Sequence, residues 1–222
     1  MATLLLEPEF FVDLDSSIKT GPILIEDGRV KSIGVPHETP DERLILKDQV
    51  LMPGFVNGHS HSFQRALRGL VEKTFDLKKD TFWSWRNQMY GIANSLTSQD
   101  LLQITKLCYL EMLEAGFTHV GEFHYLHHEE NSDPLSMSEA LVKAAKDSHI
   151  NLTMLMTAYN RYSFDEPIKP SQRRFFLPKC RIFLRFYKPC IKAKCRFRSC
   201  HSFGARSAER LVFGHQRSCP KT

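Results

Sequence analysis

Val50-Leu51-Met52-Pro53-Gly54-Phe55-Val56-Asn57-Gly58-His59-Ser60-His61 is the stretch on which the reading of this chain turns. Residues 50–56 are an apolar run of strand length, and Pro53-Gly54 marks a change of backbone direction. His59 and His61 follow at i, i+2, a spacing that puts two side chains on one face of an extended chain. Two imidazoles on one side of a strand end can grip a metal ion. Spacing alone supports half of such a site, because a metal takes three or four ligands. The plain alternative is two ordinary polar histidines after a strand. Gln64-Arg65 and an aromatic cluster, Phe82-Trp83-Ser84-Trp85-Arg86, lie close downstream.

Outward from this stretch, strands and helices alternate. Thr97-Ser98-Gln99-Asp100 predicts a helix start, with Thr97 as N-cap and Asp100 three residues on. Leu101, Ile104, Cys108 and Met112 recur at helical spacing, and Gly116 ends the run. Residues 118–122 predict a short strand. Ser136-Met137-Ser138-Glu139 predicts a second capping box, and residues 151–157 the next strand. Alternation of this kind implies an α/β fold of parallel βαβ units. Before residue 50 the chain reads as short strands. Residues 22–26 and 29–34 flank Asp27-Gly28, a pair that tolerates the positive φ angles of a tight hairpin.

The chain has 222 residues, enough for one domain of ordinary size with its own core. No apolar stretch approaches the ~20 residues of a membrane span. The N-terminus, broken early by Glu7 and Pro8, does not read as a signal peptide, so a cytoplasmic setting is expected. The net charge of +5 is unevenly spread. Residues 1–170 hold 16 Lys+Arg against 24 Asp+Glu, and residues 171–222 hold 14 against 1. Five of the six cysteines, Cys180, Cys190, Cys195, Cys200 and Cys219, also fall in that last stretch. Their spacing is not a usual structural zinc pattern. A disulfide framework does not suit a cytoplasmic chain. A basic, Phe-rich tail invites a nucleic-acid-binding reading, which ranks below the others. The joint shift of charge and cysteine content, with no sustained period after residue 175, is expected to reflect out-of-frame translation or a decayed gene end.

Residues 52–61 also resemble the first metal-binding motif of the amidohydrolase superfamily. The continuation Ser62-Phe63-Gln64-Arg65-Ala66-Leu67-Arg68-Gly69-Leu70 narrows the resemblance. So do Phe82-Trp83-Ser84-Trp85-Arg86, residues 109–116 (Tyr-Leu-Glu-Met-Leu-Glu-Ala-Gly) and Glu122-Phe123-His124-Tyr125-Leu126-His127-His128. Together they are similar to the formimidoylglutamate deiminases, and the similarity runs from near the N-terminus to about Phe175. It implies an N-terminal β-sandwich segment over 1–52, part of a (β/α)8 metal-dependent hydrolase barrel over 53–175, and an irregular Cys/Arg-rich tail over 176–222. A closed barrel of this kind takes about 250 residues. The chain is therefore expected to hold only the first three or four strands, as a truncated member.

The resemblance further implies one divalent metal ion, usually zinc, bound in part by His59 and His61. It implies hydrolysis of a C–N bond that is not a peptide bond: N-formimino-L-glutamate goes to N-formyl-L-glutamate and ammonia, a step of histidine degradation. Gln64, Arg86 and Tyr125 match substrate-contact positions. Read by themselves, Gln64 suits a surface amide and Arg86 a solvated residue at a packed helix start. Glu122 suits either a group that orients a histidine or a capped strand end; His127 and His128 suit ligands by spacing, but the preferred reading is a loop. The acid–base Glu/His pair of such enzymes has no counterpart, since His201 and His215 lie in no strand-end motif. An inactive remnant of the enzyme, or another deaminase of the superfamily, is the alternative. A small-molecule substrate, no membrane or nucleic-acid partner, and a homodimer are the partners the resemblance implies.

Overall fold

The computed structural model describes residues 3–34, 39–71, 82–130, 132–133, 135–163, 165–176 and 196–201. They fall into two compact units, Met1–Phe55 and Val56–Thr222.

In the first unit, β1 (Thr3–Val12) is the central strand. It pairs antiparallel with β2 (Ile18–Lys19) and β3 (Ile23–Glu26), and parallel with β5 (Glu42–Leu51). The expected hairpin is β3 and β4 (Arg29–Ile33), joined by Asp27 at φ 49° and Gly28 at φ 74°. Both turn residues take the positive φ that a two-residue turn between twisted strands needs. Leu5, Pro8, Phe11, Ile23 and Leu24 are buried in this unit.

The second unit carries a sheet in the order β6 (Phe55–Ser60), β7 (Phe117–His124), β8 (Asn151–Ala158), β9 (Arg196–His201). β7 and β8 are parallel in the register His119↔Asn151, and β8 and β9 in the register Thr153↔Arg196. The helices are α1 (Phe82–Ser95), α2 (Ser98–Glu114) and α3 (Ser136–Ser148). Their apolar stripes close one core that includes Leu101, Tyr109, Val120, Leu126, Met137, Leu141, Met154 and Phe175. No helix among the described residues is long and apolar enough to cross a membrane.

The α2 start is as expected. Thr97 accepts from the Asp100 backbone N–H, and the Asp100 carboxylate accepts from that of Thr97. Gly116, at φ 85°, ends the run. Three expectations are corrected. The strand expected over 50–56 is divided, because Pro53 lacks the N–H a ladder requires. Val50 and Leu51 end β5, and β6 starts at Phe55 and runs through His59. The capping box expected at Ser136 is absent. Asp133 does that work one turn earlier, its carboxylate taking the Leu135 N–H and its carbonyl the Ser136 N–H. The tail expected to be irregular contains β9, and β9 ends at His201, a residue expected to lie at no strand end. Parallel pairing uses backbone groups alone, so the unpaired edge of β8 can order an extended segment of unusual composition. The remainder of that tail, with Cys180, Cys190, Cys195, Cys219 and His215, lies outside the described residues.

β6 and β7 approach closely where both carry glycine. A Cβ on Gly121 would stand 2.8 Å from the Gly58 carbonyl oxygen. Both are backbone positions that cannot swing away, so a methyl there must part the strands. Gly121→Ala is expected to destabilise the second unit by about 1–3 kcal/mol, in the range of overpacked cores. A lower urea midpoint by circular dichroism would show it; an unchanged midpoint would contradict the close approach.

Candidate functional site

His59 and His61 sit at the end of β6 with their Nε2 atoms 2.9 Å apart. The two rings meet edge to face. Phe123 of β7 backs both, stacking on His59 at 5.3 Å between centroids and meeting His61 edge-on. The His61 Nδ1 lies 3.1 Å from the Phe123 carbonyl. A carbonyl only accepts, so Nδ1 carries the proton and Nε2 keeps its lone pair. Burial lowers the His61 pKa from its ordinary value, and the nearby His59 acts in the same sense. A neutral imidazole, with its second nitrogen tied to a carbonyl, is the usual state of a metal-ligating histidine.

The pair fits an ion. Two nitrogens 2.9 Å apart, each about 2.0–2.1 Å from zinc, subtend roughly 90° at the metal. With no ion between them the contact requires a proton, and here only His59 Nε2 can supply it. Metal binding would displace that proton. Among the described residues no group of three or more His, Cys, Asp or Glu is placed to hold a metal. The described chain thus contributes two imidazoles.

Glu122, expected either to orient a histidine or to cap a strand, acts on the backbone beside the pair. Its carboxylate is fully buried. One oxygen accepts from the Ser62 backbone N–H at 2.7 Å and the Ser62 hydroxyl at 2.9 Å, and the other from the Tyr109 hydroxyl at 3.4 Å. Ser62 opens the short 3-10 helix Ser62–Leu67, so Glu122 clamps the chain immediately after His61. Burial raises its pKa, and the hydrogen bonds from Ser62, Ser60 and Tyr109 oppose that rise.

Gln64, Tyr125 and Arg86 belong to one connected cluster. The Gln64 amide donates to the Tyr125 hydroxyl at 2.8 Å, and the Tyr125 ring stands edge-on to His61 at 5.0 Å. Burial pushes the Tyr125 phenol well above its ordinary range, so it stays protonated. Phe175, 1% exposed, packs against Phe63, Tyr90, Tyr125 and Tyr159. Arg86 donates to the Tyr90 hydroxyl at 2.7 Å and the Tyr159 hydroxyl at 3.3 Å. Its guanidinium also lies over the faces of Trp83, Tyr90 and Tyr162. Arg65, by contrast, is gripped by both oxygens of Glu111. No carboxylate among the described residues pairs with Arg86.

Sequence reading missed Tyr90, Tyr159, Gln172 and Phe175. The string Gln172-Arg173-Arg174-Phe175 held two of them and was read only as the limit of a resemblance. His124, His127 and His128 are structural. The first reaches the Ser138 hydroxyl at 3.1 Å, the second the Thr157 carbonyl at 2.7 Å, the third the Phe176 carbonyl. Arg174, also buried, ties the same loop to Ala93 through carbonyls of both segments.

The Amidohydrolase family model matches residues 50–179. Formimidoylglutamate deiminase of Pseudomonas aeruginosa is 40% identical over 130 residues, covering 56% of this chain and 28% of that protein. A 5-methylthioadenosine/S-adenosylhomocysteine deaminase of Desulforamulus reducens is 32% identical over 120 residues, 52% of this chain and 27% of its own length. The crystal structure of an amidohydrolase from Brucella melitensis superposes with a TM-score of 0.74 at 30% identity, over 90% of this chain and 45% of that one. Atrazine chlorohydrolase from Arthrobacter aurescens, complexed with zinc, shares the fold at a TM-score of 0.63 and 16% identity, over 88% of this chain and 52% of its own. The chain therefore spans under a third of these curated relatives and about half of these solved structures.

Two outcomes are expected of the geometry. Glu122→Ala strands the Ser62 N–H and two hydroxyls in the core, and should cost about 2–4 kcal/mol, read as a lower unfolding free energy in urea. His127 is pushed by burial from its ordinary 6.5 to about 4. Its folded pKa lies below the unfolded one, so the unfolded chain takes up the proton first as pH falls. Stability should drop by roughly 3 kcal/mol between pH 6.5 and 4. A His127→Gln variant should lack that part of the slope.

Proposed function

We propose, for a chain that belongs to the amidohydrolase family, that it carries the N-terminal half of a formimidoylglutamate deiminase site. The reaction is hydrolysis of N-formimino-L-glutamate to N-formyl-L-glutamate and ammonia. The observation that carries this reading is the pairing of two features. One is the His59–His61 couple with converging Nε2 atoms. The other is a cationic cluster at Arg86 that has donors and aromatic faces but, among the described residues, no carboxylate partner.

When bound, a divalent ion such as zinc supplies Lewis acidity and lowers the pKa of a water toward neutrality. The chain's own residues then divide the remaining work. His59 and His61 offer lone pairs from one strand end, with the Phe123 carbonyl holding the second ring. Arg86 grips a substrate carboxylate through donors its phenol partners leave over, an interaction suited to a planar guanidinium. Gln64 and Tyr125, bonded to each other beside His61, hold the substrate's polar groups between the two. The nucleoside deaminases among the relatives match at lower identity, and a cation with no carboxylate partner among the described residues suits a dicarboxylate better than a neutral nucleoside.

A chimera tests the reading: residues 50–175 of this chain in place of the matching segment of the Pseudomonas aeruginosa relative. It should release ammonia from N-formimino-L-glutamate, and the His59→Ala, His61→Ala double variant should not. A chimera that deaminates 5′-deoxyadenosine instead would overturn the substrate. The 222-residue chain by itself should release no ammonia and hold zinc weakly, since two protein ligands are too few for a tight site. Ammonia release that vanishes in the double variant would refute that expectation.

A further inference from the structure

Tyr90, Tyr159, Gln172 and Arg86 form a closed ring of hydrogen bonds in which donors outnumber acceptors. Gln172 is fully buried, and its Oε1 accepts from the Lys169 backbone N–H at 3.0 Å. A backbone N–H can only donate, which fixes the amide's orientation and makes Nε2 the donor. Nε2 lies 2.8 Å from both the Tyr90 and the Tyr159 hydroxyls. Arg86 sends one N–H to each of the same two oxygens. Four N–H groups therefore meet two phenol oxygens, which offer four lone pairs. The two phenolic protons are left over. One can pass between the hydroxyls only by displacing an N–H, and then the other still points out of the ring. Tyr90 is buried at 7% exposure, whereas Tyr159 is only partly buried, so the outward proton belongs to Tyr159.

We propose that the Tyr159 hydroxyl donates to the same ligand carboxylate that Arg86 holds, so that the anion is clamped by a guanidinium and a phenol together. An acceptor-only group is the partner such a ring lacks; a carboxylate accepts both donors, whereas an amide brings further N–H groups of its own. Burial raises the Tyr159 phenol to about 12, against the opposing pull of Arg86. It keeps its proton at neutral pH. Tyr159 follows the end of β8 and Arg86 lies in α1, so the carboxylate would tie the strand end to the helix.

The inference rests on the carboxylate reading of Arg86 given above, and glutarate separates the two. Glutarate is titrated calorimetrically into the full chain and into Tyr159→Phe, Tyr90→Phe and Arg86→Ala variants. Phenylalanine keeps each ring's packing on Phe175, and thermal melts confirm folding. Tyr159→Phe should weaken binding about tenfold to a hundredfold, as for loss of a bond to a charged group. Tyr90→Phe should weaken it less, and Arg86→Ala should abolish it. Loss in Arg86→Ala with unchanged affinity in Tyr159→Phe overturns the role of Tyr159 and keeps that of Arg86. Equal weakening by the two tyrosine variants also overturns it, since both would then merely support the guanidinium. No glutarate binding by the unaltered chain, or none of the variants differing from it, overturns both readings.

Discussion

A buried carboxylate organises the second unit. Glu122 on β7 satisfies the Ser62 backbone N–H and the hydroxyls of Ser62 and Tyr109, groups that belong to the turn after β6 and to α2. Burying a carboxylate is costly unless its oxygens are hydrogen-bonded. Once they are, leaving any of those donors without it would cost a comparable amount. The chain therefore has little freedom at Ser62. His61, one residue earlier, inherits that restraint, and the Phe123 carbonyl, one residue after Glu122, fixes its ring. Neighbouring residues of β7 thus control the backbone and the tautomer of the second imidazole.

A glycine on β7 makes this possible. Gly121 lets β7 approach the Gly58 backbone of β6 until a side chain at Gly121 would not fit between them. Close approach puts Phe123 behind both histidine rings, and puts Glu122 within reach of Ser62. Farther along, Phe175 fills the space between Tyr125 and the Arg86 cluster. An apolar ring there lets the histidine pair and the Arg86 cluster share one wall. Arg86 is held by phenols, which accept from it without neutralising its charge.

Much of this was legible along the chain. The hairpin at Asp27-Gly28, the Thr97–Asp100 capping box and the Gly116 stop depend on residues adjacent in sequence, and local chemistry decides them. The i, i+2 spacing of His59 and His61 placed both rings on one face, because a strand alternates. Local reading went astray where a more distant group competed. Asp133 took over the start of α3 from Ser136, and Pro53 divided a run that looked continuous. Residues 196–201 gained order from the edge of β8, which no local pattern in that basic segment announces.

The amino-acid order by itself determined the i, i+2 histidine pair, the cation at residue 86 and the α/β alternation, since each is a matter of residue type and period. Tertiary structure alone decided what those residues do together. The roles of Glu122, Tyr90, Tyr159 and Gln172 depend on donors and acceptors brought together from positions 13 to 82 residues apart. A hydrogen bond demands an approach of about 3 Å and the right partner type. That condition is met only when helix, strand and loop have packed, so it leaves no period or spacing in the sequence to read.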